Sequence, residues 1–236
     1  MGLRERQKAG RRRRILNAAD HLFRRRGFAG TSIEEIAERA GVAAGTVYNY
    51  FESKGDLAVS LVLLDGEEVR AEGRHIVDDP PRDPIVAVRL LLEGYVDHAL
   101  VYLDKKLWRH VMATSLTQAS TVAGRAYAEN DRKLAEQVSD LLRSLKRRGA
   151  IGLEVDCDDA GQILFTICNA HFMSFVALDD MPLEEMKRAM LRHVIQTFAG
   201  IGPGARGIWT TGSGAADSED HRSKGAGAKR VESEGF

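Results

Sequence analysis

Residues 43–54 read Ala-Ala-Gly-Thr-Val-Tyr-Asn-Tyr-Phe-Glu-Ser-Lys. Thr46, Tyr48 and Tyr50 carry hydroxyls, Asn49 an amide and Lys54 an ammonium. Hydroxyls and a cation at this spacing suit hydrogen bonds to phosphate oxygens, which position a protein on a duplex without reading its sequence. Ala43, Ala44 and Gly45 are small, so a helix starting there can approach base edges closely. Their methyl groups suit thymine C5-methyl contacts rather than bidentate readout. Asn49 is a candidate base reader or a solvated surface residue. No Arg, Gln or Lys stands at 43–45. Base specificity is therefore underdetermined, leaving indirect readout of shape, or an arm from Arg4 to Arg14 that reaches a groove or phosphates.

The elements that must position these groups are short. Ser32 can cap a helix, with Glu35 completing a capping box. Ile33, Ile36, Ala37 and Ala40 follow one buried face. Gly41 fits a left-handed stop. Val42, Val47 and Phe51 can pack back on that helix, leaving Thr46 and the two tyrosines outward. Ser53 caps the next helix, with Asp56 as its capping-box acid. The same pattern also suits a plain helical hairpin inside a bundle.

The stretch resembles the DNA-binding domain of the TetR (tetracycline-repressor) family. The resemblance rests on Gly27-Phe28, Thr31-Ser32, Ile36-Ala37, Ala40-Gly41-Val42, Gly45-Thr46-Val47-Tyr48, Tyr50-Phe51 and Lys54. It covers roughly residues 11–60; the rest matches in helical layout only. It implies an all-α fold of about nine helices, with a helix-turn-helix head followed by a helical ligand-binding and dimerisation domain. It implies that the helix at about Ala44–Tyr50 enters the major groove of an operator, with Ser32, Arg11 and Arg12 as further DNA contacts. It also implies a homodimeric, cytoplasmic repressor whose small-molecule effector shifts the spacing of two DNA heads.

Charge distribution agrees with a polyanion partner at the N-terminal end. Residues 1–30 hold ten basic and two acidic residues, a net of +8, and the other 206 sum to −8. The run Arg11–Arg14 at a helix start opposes the helix dipole, which is easier to understand with phosphates nearby. Cys157 and Cys168 form neither a disulfide framework nor a zinc spacing. The histidines are scattered, with no two at a metal-ligand spacing, and no nucleophile motif or phosphate loop occurs. No cofactor and no metal are indicated, and an enzyme is the weaker reading. The N-terminus does not resemble a secretory signal. Residues 160–178 are apolar but contain Gln162, Asn169 and His171, which suits a helix buried in protein better than a membrane span.

The layout along the chain is a basic arm over 1–10, a head over 11–57, a helical body over 58–201 and a disordered tail over 202–236. Helices are expected at about 11–26, 33–51 (the short pair), 54–76, 84–102, 104–114, 121–148, 158–178 and 182–199. The body offers a candidate pocket lined by Tyr95, His98, Tyr102, Trp108, Met112, Phe165, Phe172 and Met173, suited to an apolar small molecule. Most of these residues individually also suit a plain core. Leu183, Met186, Met190, Val194 and Phe198 make an apolar stripe on the last helix. That stripe is the expected dimer surface, pairing with helix 158–178 in a four-helix bundle. A ligand-independent architectural DNA binder is the other open alternative.

Overall fold

The computed structural model describes residues 2–199, apart from the side chain of Tyr102. The tail expected over 202–236 lies outside the described residues. Among the described residues there are nine helices and no strand. They are α1 (Leu3–Arg26), α2 (Ile33–Ala40), α3 (Ala44–Tyr48), α4 (Lys54–Asp78), α5 (Pro84–Tyr102), α6 (Lys105–Thr117), α7 (Val122–Arg147), α8 (Cys157–Ala177) and α9 (Leu183–Ala199).

Local chemistry sets the ends. Asp83, Asp104, Thr121 and Asp156 each cap a helix through the side chain. Gly41 takes φ 66° and ψ 41° after α2, and Gly149 takes φ 71° after α7. Both are left-handed positions that glycine occupies without a Cβ penalty. Ser53 caps α4 by accepting from the Asp56 amide, but Asp56 accepts from Glu52 N rather than from Ser53. The expected capping box is thus displaced by one residue.

Two expectations change here. Helix α1 begins at Leu3, so residues 3–10 are helical rather than an arm. Arg11–Arg14 consequently sit mid-helix, away from the positive end of the helix dipole, and do not oppose it. The short pair also ends earlier than expected, because α3 stops at Tyr48 and leaves Tyr50 beyond it.

The body is built around α4, which packs against α1, α5, α6 and α7. Behind it α7 packs on α8, and α9 closes the outside against α8 and α5. α8 is 21 residues long and apolar enough to cross a membrane by length and composition. Its Leu164, Phe165, Cys168, Phe172 and Val176 are buried among the other helices. Two crossings leave no room for side chains. A Cβ on Gly161 would lie 2.7 Å from the Ser139 amide nitrogen, so α7 and α8 meet backbone to backbone. A Cβ on Gly66 would lie 2.0 Å from Asn130 Oδ1, where α4 meets α7.

The stripe expected to form a dimer surface is instead core. Met186, Met190 and Val194 are each 1% exposed and Phe198 is 6% exposed within the single subunit. Leu183 is half-buried on the same core. The apolar period of α9 is present as its sequence indicates, but the subunit's own α5 and α8 cover it.

Gly161→Val should force α7 and α8 apart and cost about 2–3 kcal/mol or more. Urea unfolding monitored by circular dichroism reads this as a lower midpoint; an unchanged midpoint would contradict the close crossing.

Candidate nucleic-acid interface and internal cavity

The head is a small three-helix unit. Ile15, Ala19, Leu22 and Phe23 of α1 and Ile33, Ile36, Ala37 and Ala40 of α2 are buried, with Val47 and Phe51 closing the unit. Ser32 Oγ accepts from Glu35 N at 3.2 Å, and Glu35 accepts from Ser32 N at 2.9 Å. The Ser32 hydroxyl expected on DNA is therefore occupied in the capping box. That cap, foremost the hydrogen bond from the Ser32 backbone, holds the Glu35 carboxyl below its ordinary range.

The outward face of α3 carries Ala43, Gly45, Tyr48 and Asn49, all exposed, with Thr46 partly exposed. Tyr48 is 52% exposed. Open space surrounds the missing Cβ of Gly45. Ala44 and Tyr50 differ from expectation, since both lean partly buried on the core. The Tyr50 ring lies 6.4 Å from that of Phe51.

Two expected cations are engaged inside the protein. Lys54 Nζ donates to the carbonyls of Phe28 at 2.6 Å and Thr31 at 2.8 Å, and lies 4.4 Å from the Phe28 ring centroid. It ties the start of α4 to the α1–α2 connection. Arg12 donates to Ser60 Oγ at 3.2 Å, with its guanidinium 5.4 Å from the Phe51 ring centroid. Arg11 is exposed.

Inside the body, α4, α5, α6, α7 and α8 line a half-open cavity of about 60 Å³. Of the expected lining, Tyr95, Trp108, Phe165 and Phe172 are present. Met112 and Met173 do not line it, and Met173 is 44% exposed. His98 stands behind the wall, its Nδ1 2.5 Å from Asp65 Oδ1. The Tyr102 side chain lies outside the described residues. Trp108 donates to Ala99 O at 2.8 Å and meets Phe172 edge-on at 5.0 Å. Tyr95 donates to Gln137 Oε1 at 2.8 Å.

The polar lining is what sequence reasoning missed: Asp65, Tyr127, Asn130, Asp131 and Asn169. A signal existed. Asp131 falls four after Tyr127 and three before Leu134, on the inner stripe of α7. Asp65 falls likewise between Leu61 and Val69 on α4. Burial raises the Asp65 carboxyl to about 6, with the His98 hydrogen bond opposing the rise. Burial alone raises Asp131 to about 7. Among the described residues no hydrogen bond or ion pair reaches Asp131. Burial lifts the Cys168 thiol to about 12, so it stays protonated.

Head and cavity share two helices. α4 begins at Lys54 in the head and lines the cavity with Val62, Asp65, Gly66 and Val69. α6 lines it with Trp108, while His110 stacks on Phe28 at 4.4 Å. A Cβ on Gly55 would lie 3.1 Å from Thr114 Oγ1, so α6 also abuts the start of α4.

The histidines are less scattered than their spacing implied. His171 Nε2 and His193 Nδ1 meet at 2.8 Å across α8 and α9. Among the described residues, no group of three or more His, Cys, Asp or Glu is arranged to hold a metal ion.

Comparison with known proteins agrees with this geometry. The profile described as "Bacterial regulatory proteins, tetR family" matches residues 15–61, the head just described. The chain is 30% identical over 166 residues to the transcriptional repressor BepR of Brucella suis, covering 66% of this chain and 76% of BepR. It is 38% identical over 82 residues to the repressor KstR of Rhodococcus jostii, only 35% of this chain and 37% of KstR. Among solved structures, Thermus thermophilus FadR, a TetR-family repressor in complex with lauroyl-CoA, superposes with a TM-score of 0.62 at 22% identity. That match covers 88% of this chain and 100% of FadR. The chain belongs to the TetR family of transcriptional regulators. It is a DNA-binding regulator of transcription and not an enzyme.

The Asp131 shift has a defined pH signature. Between the ordinary carboxylate range and about pH 7, the folded protein holds a proton the unfolded chain has released. Stability from this group is full below about pH 4 and is lost as pH rises toward about 7. Asp131→Asn should therefore raise the melting temperature by about 2–6 °C at pH 8 and leave it little changed near pH 4. Thermal scans across that range check it; a pH-independent difference would contradict the burial of a free carboxyl.

Proposed function

We propose that this regulator is a homodimeric repressor that grips a two-fold-symmetric operator with α3 of each subunit and lets go when a small molecule occupies the cavity. The observation that carries this reading is the sharing of α4 and α6 between head and cavity. A ligand that widens the cavity by displacing α4, which bears Lys54, or α6, which bears His110, acts directly on the head. Either displacement moves the head, giving two states of different DNA affinity. A ligand-independent architectural binder has no use for this linkage. That FadR is solved in complex with lauroyl-CoA supports a ligand role for a protein of this fold.

On DNA, the exposed Tyr48 and Asn49 and the partly exposed Thr46 face the groove, and Gly45 lets the helix approach. Ala43 and Ala44 supply methyl contacts. Lys54 and Arg12 act from behind, Lys54 by holding α4 against the α1–α2 connection and Arg12 by bracing α1 on α4. The dimer forms through the outer faces of α8 and α9. There Ile163 is 37% and Ile195 40% exposed, with the His171–His193 pair between the two helices. Two α3 helices about 34 Å apart then meet successive major grooves on one side of the duplex. The protein works where it meets chromosomal DNA, which is consistent with a cytoplasmic location.

Sequencing the DNA retained by the purified protein should yield a palindrome. On that DNA, Thr46→Ala and Tyr48→Phe should each cost about 0.5–1.5 kcal/mol of affinity. Lys54→Met should lower the melting temperature yet leave the log–log salt slope unchanged, because a lost phosphate contact would shift it by about 0.9. Unchanged affinity in both α3 variants would sink this docking.

The dimer face has its own test. Ile163→Glu combined with Ile195→Glu should sediment as a folded monomer that no longer retains the palindrome. A double variant that remains dimeric would place the interface elsewhere.

A further inference from the structure

The groups around the cavity are unequally engaged. Asp65 is bound to His98, Tyr95 to Gln137, and Asn130 accepts from Arg70 at 2.9 Å. Asp131 alone among the lining carboxyls has no hydrogen-bond donor or cation beside it. Among the described residues no Lys or Arg lines the cavity. Arg70, the cation next to the wall, is turned to the Asn130 amide. Glu68 and Glu72 act on Asp65 from the same helix and add negative potential. The same cavity is lined by Trp108, Phe165 and Phe172, aromatic side chains of a kind whose faces attract a cation.

We propose that the cavity takes a compact, largely apolar amine, whose ammonium group is received by Asp131 and whose body lies against Trp108, Phe165 and Phe172. This deepens the effector-site reading above and rests on it. An ionised carboxylate is an acceptor with no proton to give, so the partner it lacks is a charged donor. An anionic head, whether carboxylate or coenzyme A phosphate, would meet two aspartates and no facing cation. The volume is also restrictive. About 60 Å³ exceeds several-fold what one water requires, yet it suits only a small body unless α4 and α7 separate. The selectivity thus differs from that of the lauroyl-CoA-bound FadR, although the fold is shared.

Ionisation of the receiving group makes recognition depend on pH. The titratable groups lining the same space are Asp65 on α4, Tyr95 on α5, Tyr127 on α7 and Cys168 on α8, with His98 behind Asp65. Burial raises both phenols and the thiol, so these stay neutral near pH 7. Amine affinity should accordingly rise between pH 6 and pH 8.

Three probes share one apolar body and differ in charge: phenethylamine, 2-phenylethanol and 3-phenylpropionate. Calorimetry on the full-length protein at pH 6 and pH 8, with lauroyl-CoA as a fourth probe, reads the ranking without any variant. Phenethylamine should bind about tenfold tighter than 2-phenylethanol at pH 8, with a smaller margin at pH 6. Asp131→Asn should abolish that margin and leave 2-phenylethanol within about twofold, since it removes charge and keeps shape. Release of retained DNA, followed by fluorescence anisotropy, separates the two levels of failure. If 3-phenylpropionate or lauroyl-CoA binds tighter than the amine and releases DNA, the effector site stands and the amine assignment falls. If the amine and the alcohol bind equally at both pH values, the assignment also falls. If no probe binds or releases DNA, both readings fall.

Discussion

A single continuous helix ties the two halves of this protein together, and most of the structure follows from how that helix is held. α4 spans 25 residues, about 37 Å end to end. Its first turn belongs to the DNA-binding head and its middle forms a wall of the cavity. At the head end Lys54 is bound to two carbonyls of the α1–α2 connection. At its midpoint Gly66 lets Asn130 come so close that a methyl group could not fit between them. A rod fixed at its start and its midpoint transmits displacement rather than absorbing it. α6 supplies a parallel route, with Trp108 on the cavity and His110 stacked on Phe28.

This arrangement explains where charge was placed. Lys54 and Arg12 look like DNA contacts in the sequence, because basic residues beside a groove-binding helix usually meet phosphate. The structure uses them to hold helices in register, through carbonyl, hydroxyl and aromatic partners. The outward face of α3 itself is polar but uncharged, with Tyr48 and Asn49 exposed and Thr46 partly exposed. Inside the body the balance is reversed, with two aspartates lining a space that no Lys or Arg among the described residues lines. Asp131 bears a cost of burial that, among the described residues, no hydrogen bond or ion pair offsets.

The fold was legible residue by residue where the signal was local. Ser32 with Glu35, Gly41 after α2, and Asp83 before Pro84 mark helix ends through bonds that span four residues or fewer, so sequence order suffices. The apolar stripe of α9 was legible as well, but its destination was not. Periodicity states that Met186, Met190 and Val194 must be covered; it does not say whether the same chain or a second one covers them. Here α5 and α8 of the same subunit do so. The cavity was half legible. Aromatic residues pointed to it, whereas Asp65 and Asp131 were passed over, because an acid on a helix is ordinarily solvated and only burial makes it exceptional.

The sequence by itself determined the all-helical architecture, the helix-turn-helix head and the family, since these rest on short-range spacing, caps and glycine positions. The tertiary structure alone decided which side chains remain free to act. It joined residues 23 or 26 apart in the Lys54 clamp, 82 apart in the Phe28–His110 stack and 22 apart in the histidine pair. Such pairings depend on how whole helices cross. Crossings are set by the summed packing of many residues around Gly66 and Gly161, which no local motif encodes.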